Sequence, residues 1–586
     1  MNKKHIYALC LSTLFVSTGV FGQEKDKKEK KEENIGTEVV NVVRAYDATI
    51  SDAFKVRETP SFDNEAGVQK KPVKYTINSF PVASTFVPEK GEAAAVEKDA
   101  RLKAFDNYLL FGAGRYVNLQ GELFLSGKVN ETDQIAGFAR HFSSQGGVKG
   151  VALDDAFSKS SAEVSYRSQK ETWNWNLDVG GKHQISNWYG LPNEEFTFQN
   201  AQLDNLDEQQ IYKTVYVGGK AEFSNAPLTG VEFQYKRFWD SYDSKENRFF
   251  IKPNIRTAIG SSDLNVGVIV DYVGTDYENF LMNTSTSYSH LNLGLEPSIT
   301  FQDEDYSFKA GVGLYFNNGK VAGETDNSFY IYPQVKASFK LVHDILVTYM
   351  GAEGGLKQNS YADFVDLNPF VSPDLMITPT SEQYDLYVGL KGKLDNSISY
   401  NIKGSMKSED DKAFFRSNII NGQSPSNAYE LGNSFGVLYG NLKTYSVFGE
   451  LKFDFEENVS IGLFGEFNHY ETDLSEAWNM PKSRFGADIH IDFSDSWFAG
   501  TEIYYIGERK DVFRNYDTGT SMLLTEEVRN LDGFADLNVK VGYRPTANWT
   551  LFLEGNNLLN KNYEQWKGFK SQGIQVMGGA LYKFDF

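Results

Sequence analysis

From Tyr108 onward the chain alternates. Stretches of about ten residues carry apolar side chains at every second position and are separated by turn residues. Trp173, Trp175, Leu177 and Val179 interleave with Asn174, Asn176, Asp178 and Gly180. Leu264, Val266, Val268, Val270 and Tyr272 interleave with Asn265, Gly267, Ile269 and Asp271. The same holds for Tyr384, Leu386, Val388 and Leu390, for Phe485, Ala487, Ile489, Ile491 and Phe493, and for Ala535, Leu537, Val539, Val541 and Tyr543. Successive side chains of a β-strand point to opposite faces, so each stretch predicts a strand with one apolar and one wet face. The last stretch, 572–586, sorts Ile574, Val576, Gly578, Ala580, Tyr582, Phe584 and Phe586 onto one face. Gln575, Met577, Gly579, Leu581, Lys583 and Asp585 fall on the other. The wet faces hold both charge signs, which suits a water-filled lumen better than a dry core.

The connections add a rhythm. Short turns are predicted at 225–227, 261–263, 302–305, 343–344, 395–396, 456–458, 494–496 and 546–548. Between them lie links read as longer, at 240–247, 277–284, 317–327, 358–380, 409–434, 471–480 and 509–528. A barrel with short periplasmic turns and long external loops alternates in this way, whereas a soluble sandwich has no reason to. The predicted fold is all-β: a transmembrane, antiparallel, up-and-down outer-membrane barrel of about 22 strands over 105–586.

Composition agrees. The 586 residues include 33 Tyr, 44 Phe and 51 Gly but only 15 Pro. Mean hydropathy is −0.43, and the chain after residue 22 has no apolar run of the ~20 residues a spanning helix needs. The formal charge of −20 argues against a nucleic-acid partner, which needs a basic surface. Residues 1–22 read as a signal peptide: Lys3, Lys4 and His5 precede a short apolar core, and small residues sit near the expected cleavage point. The single cysteine, Cys10, lies in that segment, so the exported chain is expected to have no thiol. Residues 23–104 read as a charged spacer followed by an irregular periplasmic or lumenal segment. Within it, Thr37, Glu38, Val39, Val40, Asn41, Val42 and Val43 form a β-branched run able to add to a partner's sheet edge.

Three stretches carry a resemblance. Ala477, Trp478, Asn479, Met480 and Pro481 precede a strand; Tyr504, Tyr505, Ile506, Gly507, Glu508 and Arg509 close the next; and Asn556, Asn557, Leu558, Leu559, Asn560, Lys561, Asn562 and Tyr563 form a turn motif. Over about the last 120 residues, and in strand count, the chain resembles the barrel of TonB-dependent receptors of the Bacteroidota type. The resemblance implies transport of a nutrient or metal complex across the cell outer membrane. It implies outer-membrane lipid, the barrel assembly machinery and TonB or other envelope proteins as partners, with no cofactor and no enzymatic activity. It makes 37–43 a TonB-box-like segment, although such a run also arises by chance. It makes Tyr582, Phe584 and Phe586 the C-terminal assembly signal, since outer-membrane barrels commonly end on an aromatic residue. The departure is at the front, where 23–104 is about half the length of the family's plug domain. Three outcomes stay open for a lumen too wide to be filled by its own wall: a partial plug from 44–104 helped by the loops, a second protein, or a wide channel. The alternative function is therefore a plug-deficient barrel serving as a structural or assembly subunit of a multi-protein outer-membrane complex.

No catalytic or metal motif stands out. His490 is expected to face the lumen as a solvated side chain, and His141 to sit at a strand mouth. The glycine-rich loop 146–150 lacks the following helix that phosphate binding would use. Asp204 with Asp207, and Asp240 with Asp243, lack calcium-loop spacing. Trp188, Tyr189, Tyr361, Phe364, Trp478 and Trp566 lie in or beside long loops; they could stack on a glycan or grip a partner, and are expected chiefly to anchor the lipid interface.

Overall fold

The computed structural model describes residues 106–586, apart from 200–202, 204–205, 225, 261, 281–283, 322, 343–344, 421–426, 456–457 and 518–521. Within it 22 strands form one antiparallel sheet. Each strand pairs with the next along the chain, and the first, Asn107–Gly114, pairs with the last, Gln575–Phe584. The sheet is thus a closed barrel with no free edge, the arrangement a bilayer demands of strands.

All five alternating stripes point their apolar side chains outward. Val179, Tyr272, Val388, Phe485 and Val541 are all exposed on the barrel wall, while their neighbours line the lumen. At the short-turn rim the outward face carries an aromatic girdle. Trp173 stacks on Phe223 (6.2 Å), and Trp497 packs at a tilt against Tyr543 (4.6 Å) as Trp549 does against Tyr582 (4.7 Å). Such belts sit at headgroup depth.

The lumen face repeats one device. A tyrosine lies across a glycine of the neighbouring strand and donates its hydroxyl to a carboxylate beyond. Tyr216 crosses Gly180 to Glu163 (2.5 Å), Tyr315 crosses Gly294 to Glu296 (2.6 Å), and Tyr387 crosses Gly351 to Glu353 (2.6 Å). A Cβ on any of these glycines would overlap the ring. Lysines then pair the carboxylates: Lys252 with Glu296 (2.9 Å) and Lys336 with Glu353 (2.6 Å). The inner wall is not uniformly polar, because Leu110, Phe552, Met577 and Leu581 cluster on it at the closing seam.

The rhythm of turns holds with a correction. The links at 240–247, 277–284 and 317–327 are not long loops. Their strands run on, to Asp240 and from Lys245, to Phe280 and from Thr284, to Val321 and from Glu324. Pairing continues as Asn318↔Asn327 and Val321↔Glu324. These hairpins extend past the lipid into water, where both faces turn polar and the period-two signal disappears.

Candidate functional site

At the outer mouth the chain folds back across its own lumen. Between strands Leu346–Lys357 and Thr380–Asp395, residues 358–379 fold inward. They begin with a short helix, Tyr361–Leu367, whose N-cap Ser360 accepts a hydrogen bond from the Asp363 amide (3.1 Å). The helix buries Tyr361, Ala362, Phe364 and Val365, and the segment after it buries Phe370, Val371, Leu375 and Ile377. They pack on the inward aromatics Tyr212, Phe238, Tyr277 and Tyr288 of the wall, and on Trp188, Tyr429, Phe435, Trp566 and Phe569 from other loops or strand ends.

Polar contacts fix this lid to strands on several sides. The Glu246 carboxylate accepts from the Tyr361 amide (2.5 Å), the Ala362 amide (3.3 Å) and the Thr275 hydroxyl (3.1 Å). It thereby answers two of the helix's unpaired N-terminal donors. Tyr361 donates its hydroxyl to Asp240 (2.8 Å), and Tyr212 donates to the Pro369 carbonyl (3.0 Å). The Trp188 indole donates to the Phe370 carbonyl (3.3 Å), and His290 contacts the Ile377 carbonyl (2.9 Å). Asp363 bridges Lys236 and Arg248, each at 2.8 Å, and Arg248 also holds Asp271 at 2.8 Å. Burial pushes the Asp363 carboxyl up, but Lys236 and Arg248 outweigh it and hold the group below the usual carboxylate range. Asp374, on the same loop, is raised by burial.

A second set of contacts joins the other long links. Hairpin Arg509–Tyr516/Leu523–Leu531 sends Arg514 to the carbonyls of Ser417 (2.8 Å) and Asn418 (2.9 Å) and to Glu526 (2.8 Å). Asp511 accepts from Ser417 and Asn479. Arg509 donates to the Gln565 and Glu564 carbonyls, and burial pushes its guanidinium down to about 10. Lys567 pairs with Glu195 and donates to the Val512 carbonyl. Burial moves both charges toward neutrality, Glu195 up and Lys567 down, each opposed by its partner. The described residues of the links 188–208, 418–434, 507–533 and 557–574 are joined by these contacts into one cap.

The loop aromatics therefore do not anchor the lipid interface. Trp188, Tyr361, Phe364, Trp478 and Trp566 are buried, and Tyr189 packs edge-on against Phe569 (5.0 Å). They form the interior of the cap because large rings bury the most area where loops must cohere without regular pairing. Tyr582 and Phe584 lie on the outward face within the girdle, and Phe586 projects beyond it at 94% exposure. Residues 37–43, the signal segment and the rest of 1–105 lie outside the described residues. Asp204 is outside them too, and Asp240 is engaged by Tyr361. In the glycine-rich loop, the Gly147 and Val148 amides donate to Asp155 (3.1 and 2.8 Å), which occupies the position an anion would take. His490 faces the lumen beside Asp492 (3.2 Å). Among the described residues no metal-binding group forms. Sequence reading missed Glu246, Arg248 and Lys236 as lid contacts. One signal was present: Ser360 followed three residues later by Asp363 is a helix-start pattern.

No protein-family model and no curated protein matches the chain. Solved structures do. The FrpB iron transporter from Neisseria meningitidis (F3-3 variant) superimposes with a TM-score of 0.62 at 12% identity, over 82% of this chain and 81% of that one. The ferripyoverdine receptor of the outer membrane of Pseudomonas aeruginosa gives 0.60 at 13%, over 82% and 72%. The copper transporter OprC gives 0.58 at 14%, over 82% and 80%. The fold is that of outer-membrane receptor and transporter barrels, and with its lipid-facing belt it belongs in an outer membrane.

Proposed function

We propose that the chain passes a solute, a nutrient or metal complex, across the outer membrane as a TonB-dependent-receptor-like barrel gated from outside by its own loop lid. The observation that carries this reading is the contrast between wall and mouth. Away from the closing seam the lumen wall bears paired charges and hydroxyls, a surface suited to stay wet. The mouth is shut by a separate element, 358–379, attached through contacts that side chains can exchange. The structural neighbours are named for iron and copper transport and for a ferripyoverdine complex, which supports metal complexes as the first class to test. In this reading residues 37–43 engage a TonB protein, and Tyr582, Phe584 and Phe586 are read by the barrel assembly machinery.

A second reading is favoured by one specific feature. The cap encloses a contiguous cluster of buried aromatic and aliphatic side chains, which suits a barrel kept shut as a structural subunit of a larger envelope complex. Conductance in planar bilayers tests the first reading. Wild-type protein is expected to conduct little, and a variant with 359–378 replaced by a short Gly-Ser linker to conduct far more. A lid-deleted barrel as tight as wild type would remove the lid as gate.

A further inference from the structure

Far from the lid, the outer surface of the barrel has a hollow. An open cavity of about 720 Å³ lies along the wall between Leu109 and Trp239. Its cause is side-chain size. On these strands the outward positions near the loop rim are the small residues Gly121, Ala139, Ala162 and Gly181. A Cβ on Gly121 would meet nothing within contact distance. Leu109 and Leu123 form one bank, Val215 and Trp239 the other. The small residues span about four strands at ~4.8 Å spacing, wide enough for several acyl chains side by side.

The charged side chains on the outward rows around the hollow share one sign, while Glu122, which also borders it, is buried against Arg140 (3.1 Å). Pairing places Gly121, His141, Ser160, His183, Lys213 and Trp239 in one outward row. The row below is Leu123, Ala139, Ala162, Gly181, Val215 and Arg237; the row above is Leu119, Ser143, Ser158, Ile185 and Ile211. These rows hold His141, His183, Lys213 and Arg237 and no carboxylate, in a chain of net charge −20. Hydroxyls of Ser160 (2.8 Å) and Ser143 (3.0 Å) hold His141, and the Asn247 amide oxygen holds Arg237 (2.8 Å). The basic rows lie toward the long-loop rim, at the headgroup depth of the external leaflet, and apolar wall continues beneath them.

We infer that this groove binds a phosphorylated, acylated lipid of the external leaflet, its chains over the small residues and its phosphates against His183, Lys213 and Arg237. Charge complementarity selects the occupant. A neutral lipid would leave the cations unanswered, and an apolar protein helix would have to bury them.

The test is native mass spectrometry of the full-length protein in mild detergent, titrated with bisphosphorylated lipid A, its dephosphorylated form and phosphatidylethanolamine. The expected result is preferential retention of the phosphorylated form. Lys213→Ala and Arg237→Ala should each weaken it by about fivefold, the effect of one cation near an anionic lipid surface. Gly121→Leu/Ala162→Leu should displace both forms by filling the groove. Gly449→Leu, on open wall outside any hollow, should leave retention unchanged. All variants must keep wild-type heat-modifiable mobility, which reports barrel closure. Equal retention of phosphorylated and dephosphorylated lipid overturns the proposal. So does undiminished binding by a folded Lys213→Ala/Arg237→Ala or Gly121→Leu/Ala162→Leu variant, or a protein recovered on that face in place of lipid.

Discussion

At the scale of single residues the lid hangs on Glu246. Its buried carboxylate accepts from two helix-start amides and from Thr275. Glu246→Ala leaves those donors without an acceptor, at a cost of about 2–4 kcal/mol confined to the lid. Hydrogen exchange should show amides 359–366 losing protection while the strands keep theirs; unchanged protection there would refute the assignment. Asp363 adds a pH dependence of definite sign. Its folded pKa is depressed, so its contribution is present above the ordinary carboxylate pKa of about 4 and is lost as pH falls through the folded value. Its side chain is 41% exposed, so that contribution is modest, about 1 kcal/mol. The Asp363 contribution should therefore be lost below about pH 4, and Asp363→Asn should remove that acid limb of lid protection. The Asp240 carboxyl, which accepts from Tyr361 and is pushed up to about 6 by burial, titrates above that window. Little of this was legible in the chain. Ser360 and Asp363 announce a helix start, but Glu246 sits on a strand 115 residues away, and nothing local ties it to them.

At the scale of elements, strand register was legible and strand length was not. Every alternating stripe faces lipid as expected, because a one-residue slip would turn the whole apolar face inward. The links at 240–247, 277–284 and 317–327 were misread because polar residues on both faces look like loop, although pairing continues through Lys320↔Thr325. The glycines of the wall, Gly294 on the lumen face and Gly404 on the lipid face, show the same limit. Gly294 and Gly404 look alike in sequence, yet a Cβ on Gly294 would strike the Tyr315 ring and one on Gly404 meets nothing. Gly294→Val should cost about 1–3 kcal/mol through overpacking and the displaced Tyr315–Glu296 bond. Gly404→Val should be neutral or slightly stabilising, since valine suits a strand better than glycine. Urea unfolding midpoints of the refolded variants read the difference, and equal midpoints would show that the Tyr-over-Gly device does not set wall stability.

At the scale of the whole molecule, two structures with different physics share one chain. The barrel is a ring of 22 strands whose backbone bonds close on themselves. Breaking that ring in lipid exposes unpaired amides at several kcal/mol each. The cap is held by ring packing and by side-chain bonds to loop carbonyls, each of which water can replace. Closure was legible from the even strand count and the alternating turns. The cap was not, since loop packing leaves no period and its rings resembled interface anchors. The difference predicts separable stabilities. Replacing 359–378 by a short linker should leave the heat-modifiable gel mobility of the barrel unchanged. In the wild type, protease should cut 358–379 at temperatures where that mobility persists. This outcome decides between the two functional readings. A gate must open without unmaking the wall, whereas a strut that shuts a structural barrel can share its fate. If lid deletion abolishes the folded band, or if lid and barrel melt together, the lid is part of the wall's own stability and the structural-subunit reading prevails.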